Sequence, residues 1–193
     1  MRLSLPVSGF VRSAASGTAE LVIDAQHFHR IVRDGILKAT TSVDIATADF
    51  KAMLIPEIGG SRRAKSIVQV FRNLAQRGVE IRLLHSGTPS APALRELKRK
   101  LPENLTIRRC PRLHAKTVVI DASRMYLGSA NLTGAGLGAK ADGRRNFELG
   151  VWTEAPAMID AVLGEFNALW EGRRCTGCKR KDICPAPLEE PAL

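Results

Sequence analysis

His114 and Lys116 stand two residues apart, and a short apolar run, Thr117 to Ile120, follows them. On an extended chain, residues i and i+2 point to the same face. That face would carry an imidazole, able to attack or to transfer a proton, beside an ammonium that holds negative charge. A second apolar run, Met125 to Leu127, leads into Gly128-Ser129-Ala130-Asn131, a turn rich in polar hydrogen-bonding groups. Asp121-Ala-Ser-Arg124 between the runs reads as a hairpin turn. Together these groups suit a tetrahedral oxyanion: Lys supplies charge, and Asn and Ser supply donors.

The pattern His114-x-Lys116-x4-Asp121-x6-Gly128-Ser129-x-Asn131 resembles the HKD signature of the phospholipase D superfamily, of the single-HKD, Nuc-like endonuclease type. The resemblance implies a phosphohistidine intermediate on His114, no catalytic metal, and two such motifs meeting at one active site. The chain holds one copy, so it implies a homodimer with two His114 residues facing across a two-fold axis. The second imidazole would protonate the leaving oxygen and then activate water. Asn146-Phe-Glu148 stands where phospholipase D-like nucleases carry Asn-x-Glu, which implies that Glu148 accepts a hydrogen bond from His114. The expected catalytic set is therefore His114, Lys116, Ser129, Asn131, Glu148 and Asp121, the last fixing strand and turn rather than reacting. Lys116, Ser129 and Asn131 would also bind the substrate's non-bridging oxygens. Gly134-Ala-Gly-Leu-Gly138, then Lys140, Gly143, Arg144 and Arg145, reads equally as a plain surface loop or a phosphate-facing one. On the second reading Lys140, Arg144 and Arg145 join the substrate-binding set.

Strands alternating with helices must position these groups. Strands are expected at Leu21–Asp24, Ser42–Phe50, Val79–His85, Leu105–Arg109 and Phe147–Thr153, besides the two apolar runs. Helices are expected at Ala25–Ala39 with Asp24 as N-cap, Ser61–Arg77 closed by Gly78, Pro89–Lys100, and Ala155–Trp170. Lys51–Gly60, with Pro56 and Gly-Gly, reads as a loop. Arg62, Arg63, Lys65, Arg72 and Arg77 form a basic face on the second helix, and His27 and His29 receive no role. The order fits an α/β fold, and the resemblance implies a phospholipase D-like mixed sheet flanked by helices on both faces. Residues 1–18 are expected to be a flexible leader, 19–171 the catalytic domain and 172–193 a Cys-rich metal-binding tail.

The net charge of +10, from 29 Lys and Arg against 19 Asp and Glu, favours a polyanionic partner, with nucleic acid first and DNA ahead of RNA. Aromatic residues make up only 5%, so backbone contacts are expected rather than base stacking. No apolar run is long enough to span a membrane, and the N-terminus lacks an apolar signal core, which points to the cytoplasm. A phospholipid hydrolase or transferase, and a non-catalytic DNA-binding module, are the alternatives to a nuclease.

Cys110, Cys175, Cys178 and Cys184 complete the inventory. A Cys-x2-Cys pair in a cytosolic chain reads as a metal clamp before a disulfide. Four thiolates suit tetrahedral zinc or a cubane cluster. Cys175-x2-Cys178-x5-Cys184-Pro, with one upstream Cys, is similar to the iron–sulfur staple of RecB-type nucleases. That resemblance implies a structural 4Fe–4S cluster, with zinc as the alternative.

Overall fold

A computed structural model describes residues 18–55 and 64–184. The expected leader apart from Thr18, the Pro56 and Gly59-Gly60 loop, Arg62, Arg63 and the tail prolines lie outside the described residues. The main sheet has seven strands: β1 (Ala19–Ile23), β2 (Ser42–Thr47), β5 (Glu80–His85), β6 (Leu105–Arg109), β7 (Thr117–Ile120), β8 (Arg124–Gly128) and β9 (Leu149–Thr153). Their spatial order is β1-β9-β8-β7-β2-β5-β6. β2 pairs parallel with β5 and β5 with β6, and every other pairing is antiparallel. The sheet is therefore mixed, as expected.

Alternation along the strands sets the two faces. Val43, Ile45, Ile81, Leu83, Val118, Ile120 and Tyr126 face the larger core. There they meet α1 (Ile67–Gln76) and α2 (Ala91–Leu97) through Phe71, Leu74 and Leu97. On the other face, Ala46, Leu84, Val119 and Met125 pack against α3 (Pro156–Trp170) through Ile159 and Phe166. That packing has a polar component. Arg82 donates to Asp44 at 2.6 Å and to Asn167 at 2.9 Å, and its guanidinium lies 5.0 Å from the Phe166 ring. Arg108 stacks on Trp170 at 4.6 Å.

α3 covers only part of its face. Leu21, Ile23, Leu127 and Leu149 remain exposed at the β1–β9–β8 end, and Leu21↔Val151, Ile23↔Leu149 and Leu127↔Val151 are cross-strand pairs. They form one apolar patch, with Phe147 96% exposed just before β9.

Several expected elements move. The first helical stretch is broken: Asp34 N–H bonds His29 O, a wide turn, and a tighter turn follows at Ile36–Lys38. A Cβ on Gly35 would come 2.4 Å from Ile31 O, so only glycine fits between them. Asp24 is not a cap. It has φ +45, and its carboxylate accepts from Glu148 N–H at 2.8 Å. β3 (Leu54–Ile55) and β4 (Lys65–Ser66) form a two-stranded ribbon where loop and helix were expected. Ser66 then caps α1, accepting from Gln69 N–H. Arg72 leaves the expected basic face and donates to the carbonyls of Glu96, Arg99 and Lys100 at the end of α2.

Candidate functional site

The strand ends meet at one edge of the sheet. His114 and Lys116 lie in the segment entering β7, just before the strand. Gly128 N–H still bonds Lys116 O at 3.1 Å, so the pairing of β7 with β8 extends to Lys116 and brings the Gly128–Asn131 turn beside it. His114 is exposed. Lys116 Nζ donates to His114 O at 2.9 Å and stands 3.2 and 3.3 Å from the two ring nitrogens. The ammonium lies about equally far from both nitrogens and can only donate, so whichever of them lacks a proton can accept from it, and must be released by Lys116 before it attacks.

The turn is fixed from below by Tyr126. Its hydroxyl accepts from Ala130 N–H at 3.0 Å and lies 3.0 Å from His27 Nε2. His27 Nδ1 lies 2.9 Å from Asp24 O, a carbonyl that can only accept. The Nδ1–H therefore donates there, and Nε2 accepts the Tyr126 hydroxyl proton. Burial pushes the His27 pKa down, against the Asp24 carbonyl and the Glu148 and Asp24 carboxylates, which favour its charged form. Burial pushes the Tyr126 phenol up to about 12, with Ala130 N–H opposing and the Glu148 charge reinforcing. Gly128 and Gly150 exist to admit this ring: a Cβ on either would come within 2.3 Å of it or its hydroxyl.

Asn131 is held by its carbonyl. Oδ1 accepts from Asp49 N–H at 3.0 Å and lies 3.3 Å from Thr47 Oγ1. The amide N–H groups are then the ones it can present outward. Ser129 Oγ accepts from Leu149 N–H at 3.1 Å and donates to Glu148. Glu148 is buried and also accepts from Asn146 Nδ2 at 3.0 Å. Within the chain, Glu148 thus engages Ser129 and Asn146 rather than His114, whose described hydrogen bonds run to Lys116.

Asp121 stands at the far end of β7 from His114. Its carboxylate accepts from the backbone N–H groups of Thr40, Thr41 and Ser42, from both threonine hydroxyls and from Arg124. Burial raises its pKa, but the N–H donors of Thr41, Ser42 and Thr40 outweigh it and hold the group at about 2. Asp121 ties the β7–β8 turn to the start of β2.

The loop cations are placed apart. Lys140 and Arg144 are exposed, and Arg145 pairs with Asp142. Neither of two clefts at His114 includes them. Other arginines line these clefts. The smaller, about 380 Å³, is bounded by Ser86, Arg112, His114 and Arg180. The larger, about 960 Å³, runs from His114 past Arg108 and Arg174 to Cys110, Cys175, Cys178 and Cys184. Arg112 and Arg180 were not expected site residues; Arg112 stands two residues before His114, and Arg180 lies between Cys178 and Cys184. The four cysteines thus share one cleft, and none forms a disulfide. Among the described residues, no three of His, Cys, Asp and Glu are arranged to hold a metal ion.

Comparison with known proteins adds the lineage. No curated protein matches the chain. The fold is similar to NucT from Helicobacter pylori, with 18% identity, TM-score 0.60, and 80% of this chain and 96% of that one covered. It is equally similar to Nuc from Salmonella typhimurium, a phospholipase D family member, at 17% identity, TM-score 0.60 and 80% and 95% coverage. TrmBL2, an archaeal chromatin protein with a novel mode of DNA binding, aligns at 13% identity and TM-score 0.54 over 89% of this chain and 55% of that one. Residues 32–170 match the family model described as cardiolipin synthase, PLD-like domain. The span from Val32 to Trp170 contains the whole His114–Asn131 pattern and Glu148, and the chain belongs to this PLD-like family.

Proposed function

We propose that the protein is a phosphodiesterase that cleaves the nucleic-acid backbone, DNA before RNA, through a phosphohistidine on His114. The observation that carries this reading is an exposed imidazole held against Lys116 in a cleft edged by Arg112 and Arg180. A nucleophile surrounded by cations fits an anionic phosphodiester. The net charge of +10 supports a polyanion, as does the likeness in fold to a DNA-binding chromatin protein.

In the first step the ring nitrogen of His114 bonds to phosphorus, and the bond to the leaving oxygen breaks. Lys116 shifts its ammonium from the ring to a non-bridging oxygen, and the Asn131 amide donates to another. The Ser129 hydroxyl proton is committed to Glu148, so in this reading the Ser129–Glu148 pair positions the turn until substrate competes for that proton. Water then attacks phosphorus and displaces His114, which requires an acid for the leaving oxygen and a base for the water.

Within one chain no other histidine is free for that duty. His27 and His85 are buried, and His29, exposed on a helical turn, lines neither cleft at His114. A second copy supplies His114 in this reading, and the uncovered patch of Leu21, Ile23, Leu127 and Leu149 supports it as the contact surface. The test is cleavage of single- and double-stranded DNA and RNA in EDTA, compared with phosphatidylcholine and cardiolipin vesicles. Nucleic-acid cleavage that disappears in His114→Ala is expected. Lipid turnover without nucleic-acid cleavage refutes the assignment.

A further inference from the structure

The segment after α3 is poorly held by burial. It turns at Arg173–Cys175 and Lys181–Ile183, and its one large apolar side chain, Ile183, is 50% exposed. Two side-chain hydrogen bonds tie it to the chain leaving β6: Arg180 to Pro111 O at 3.1 Å and Cys184 Sγ to Arg109 O at 3.5 Å. Those two bonds, with the exposed Arg174–Glu165 ion pair, are weak restraints against the conformational entropy of the ordered segment. The four thiols lie where a cross-link would act, three on the segment and Cys110 beside the two accepting carbonyls.

We propose that Cys110, Cys175, Cys178 and Cys184 bind one thiophilic metal centre, zinc or an iron–sulfur cluster, which clamps residues 172–184 onto the connection between β6 and β7. Four sulfur ligands match both chemistries. The thiols must draw inward to form it, and Gly172 and Gly177, both at positive φ, give the segment the turns for that. The clamp also fixes Arg180 beside His114. The proposal does not depend on the phosphodiesterase reading.

The experiment is metal analysis of the full chain purified anaerobically under reducing conditions. It is paired with trypsin digestion, since Arg173, Arg174, Lys179, Arg180 and Lys181 are potential cuts. About one zinc, or about four iron with brown colour, is expected per chain. The loaded segment should resist trypsin, and each single Cys→Ser variant, Cys110→Ser included, should lose metal and protection together. Absence of bound metal before and after reconstitution overturns the proposal. So does Cys110→Ser with full metal content, or disulfide-linked peptides in a non-reducing digest of the native protein.

Discussion

Asp121→Asn isolates one interaction cleanly. Asn adopts the left-handed backbone that Asp121 shows at φ +52, so the turn itself is not strained. What changes is the charge and one acceptor. In the native chain Oδ1 receives Thr41 and Ser42 N–H, and Oδ2 receives the Thr40 hydroxyl and Arg124. An amide leaves one of these sets facing a donor. An aspartate held at about 2 rather than 3.8 contributes about 2 kcal/mol at neutral pH. The side chain is 13% exposed, so solvent screening removes little of this.

The folded-state value is depressed, so the stabilisation is complete above the unfolded value and is lost as pH falls through the folded one. Urea unfolding followed by circular dichroism should therefore show Asp121→Asn about 2–3 kcal/mol less stable near pH 7, a fall in Tm of about 4–10 °C. The charge-dependent share of that gap should shrink between about pH 4 and pH 2. Equal stability at neutral pH, or a gap that ignores pH in this window, refutes the reasoning. Because Asp121 sits at the opposite end of β7 from His114, the folded variant should retain cleavage activity at low temperature.

Other outcomes follow from the same contacts. His114→Ala should lower nucleic-acid cleavage about a thousandfold or more with an unchanged melting curve, because the ring is exposed. Tyr126→Phe strands Ala130 N–H and His27 Nε2 without the hydroxyl and should cost about 1–3 kcal/mol in chemical unfolding. Leu149→Asp places a charge in the exposed apolar patch. Sedimentation should show the proposed dimer weakened by at least about tenfold, and activity should become concentration-dependent; a monomer with full activity contradicts the shared-site reading.

Apolar runs bounded by turn residues were legible in the sequence, and two-residue strands and backbone breaks were not. β6 and β7 lie at their expected bounds, and Gly78 closes α1 with φ +92 as its position after the apolar stripe suggested. The ribbon of β3 and β4 has two residues per strand, too few for any period to register. The first helix failed because the pattern of Phe28, Ile31, Val32 and Ile36 reports burial, whereas Gly35 and the wide turn at Asp34 report backbone space, which hydrophobic spacing does not encode. Arg72 reads as a surface cation until the end of α2 is known to lie against it.

The site follows the same division. Local spacing brought His114 to Lys116, and pairing of β7 with β8 brought the Ser129–Asn131 turn to both. Partners far apart in sequence escaped. His27 holds Tyr126 across ninety-nine positions, and Asp49 N–H orients Asn131 across eighty-two. Each decides what a reactive group can offer. Because Asp49 occupies the Asn131 oxygen, the amide presents donors, as an anionic oxygen requires. Because Glu148 takes the Ser129 proton, Ser129 cannot serve phosphate without giving that bond up. Replacing Glu148 with Gln tests this coupling. The amide can still accept from Ser129 while removing the charge, so the turn should survive. If Glu148 only positions Ser129, cleavage should fall by about tenfold or less, whereas a charge needed at an imidazole costs about a hundredfold or more. A large loss together with an unchanged melting curve would place Glu148 in electrostatic contact with His114 once substrate or a second copy is bound.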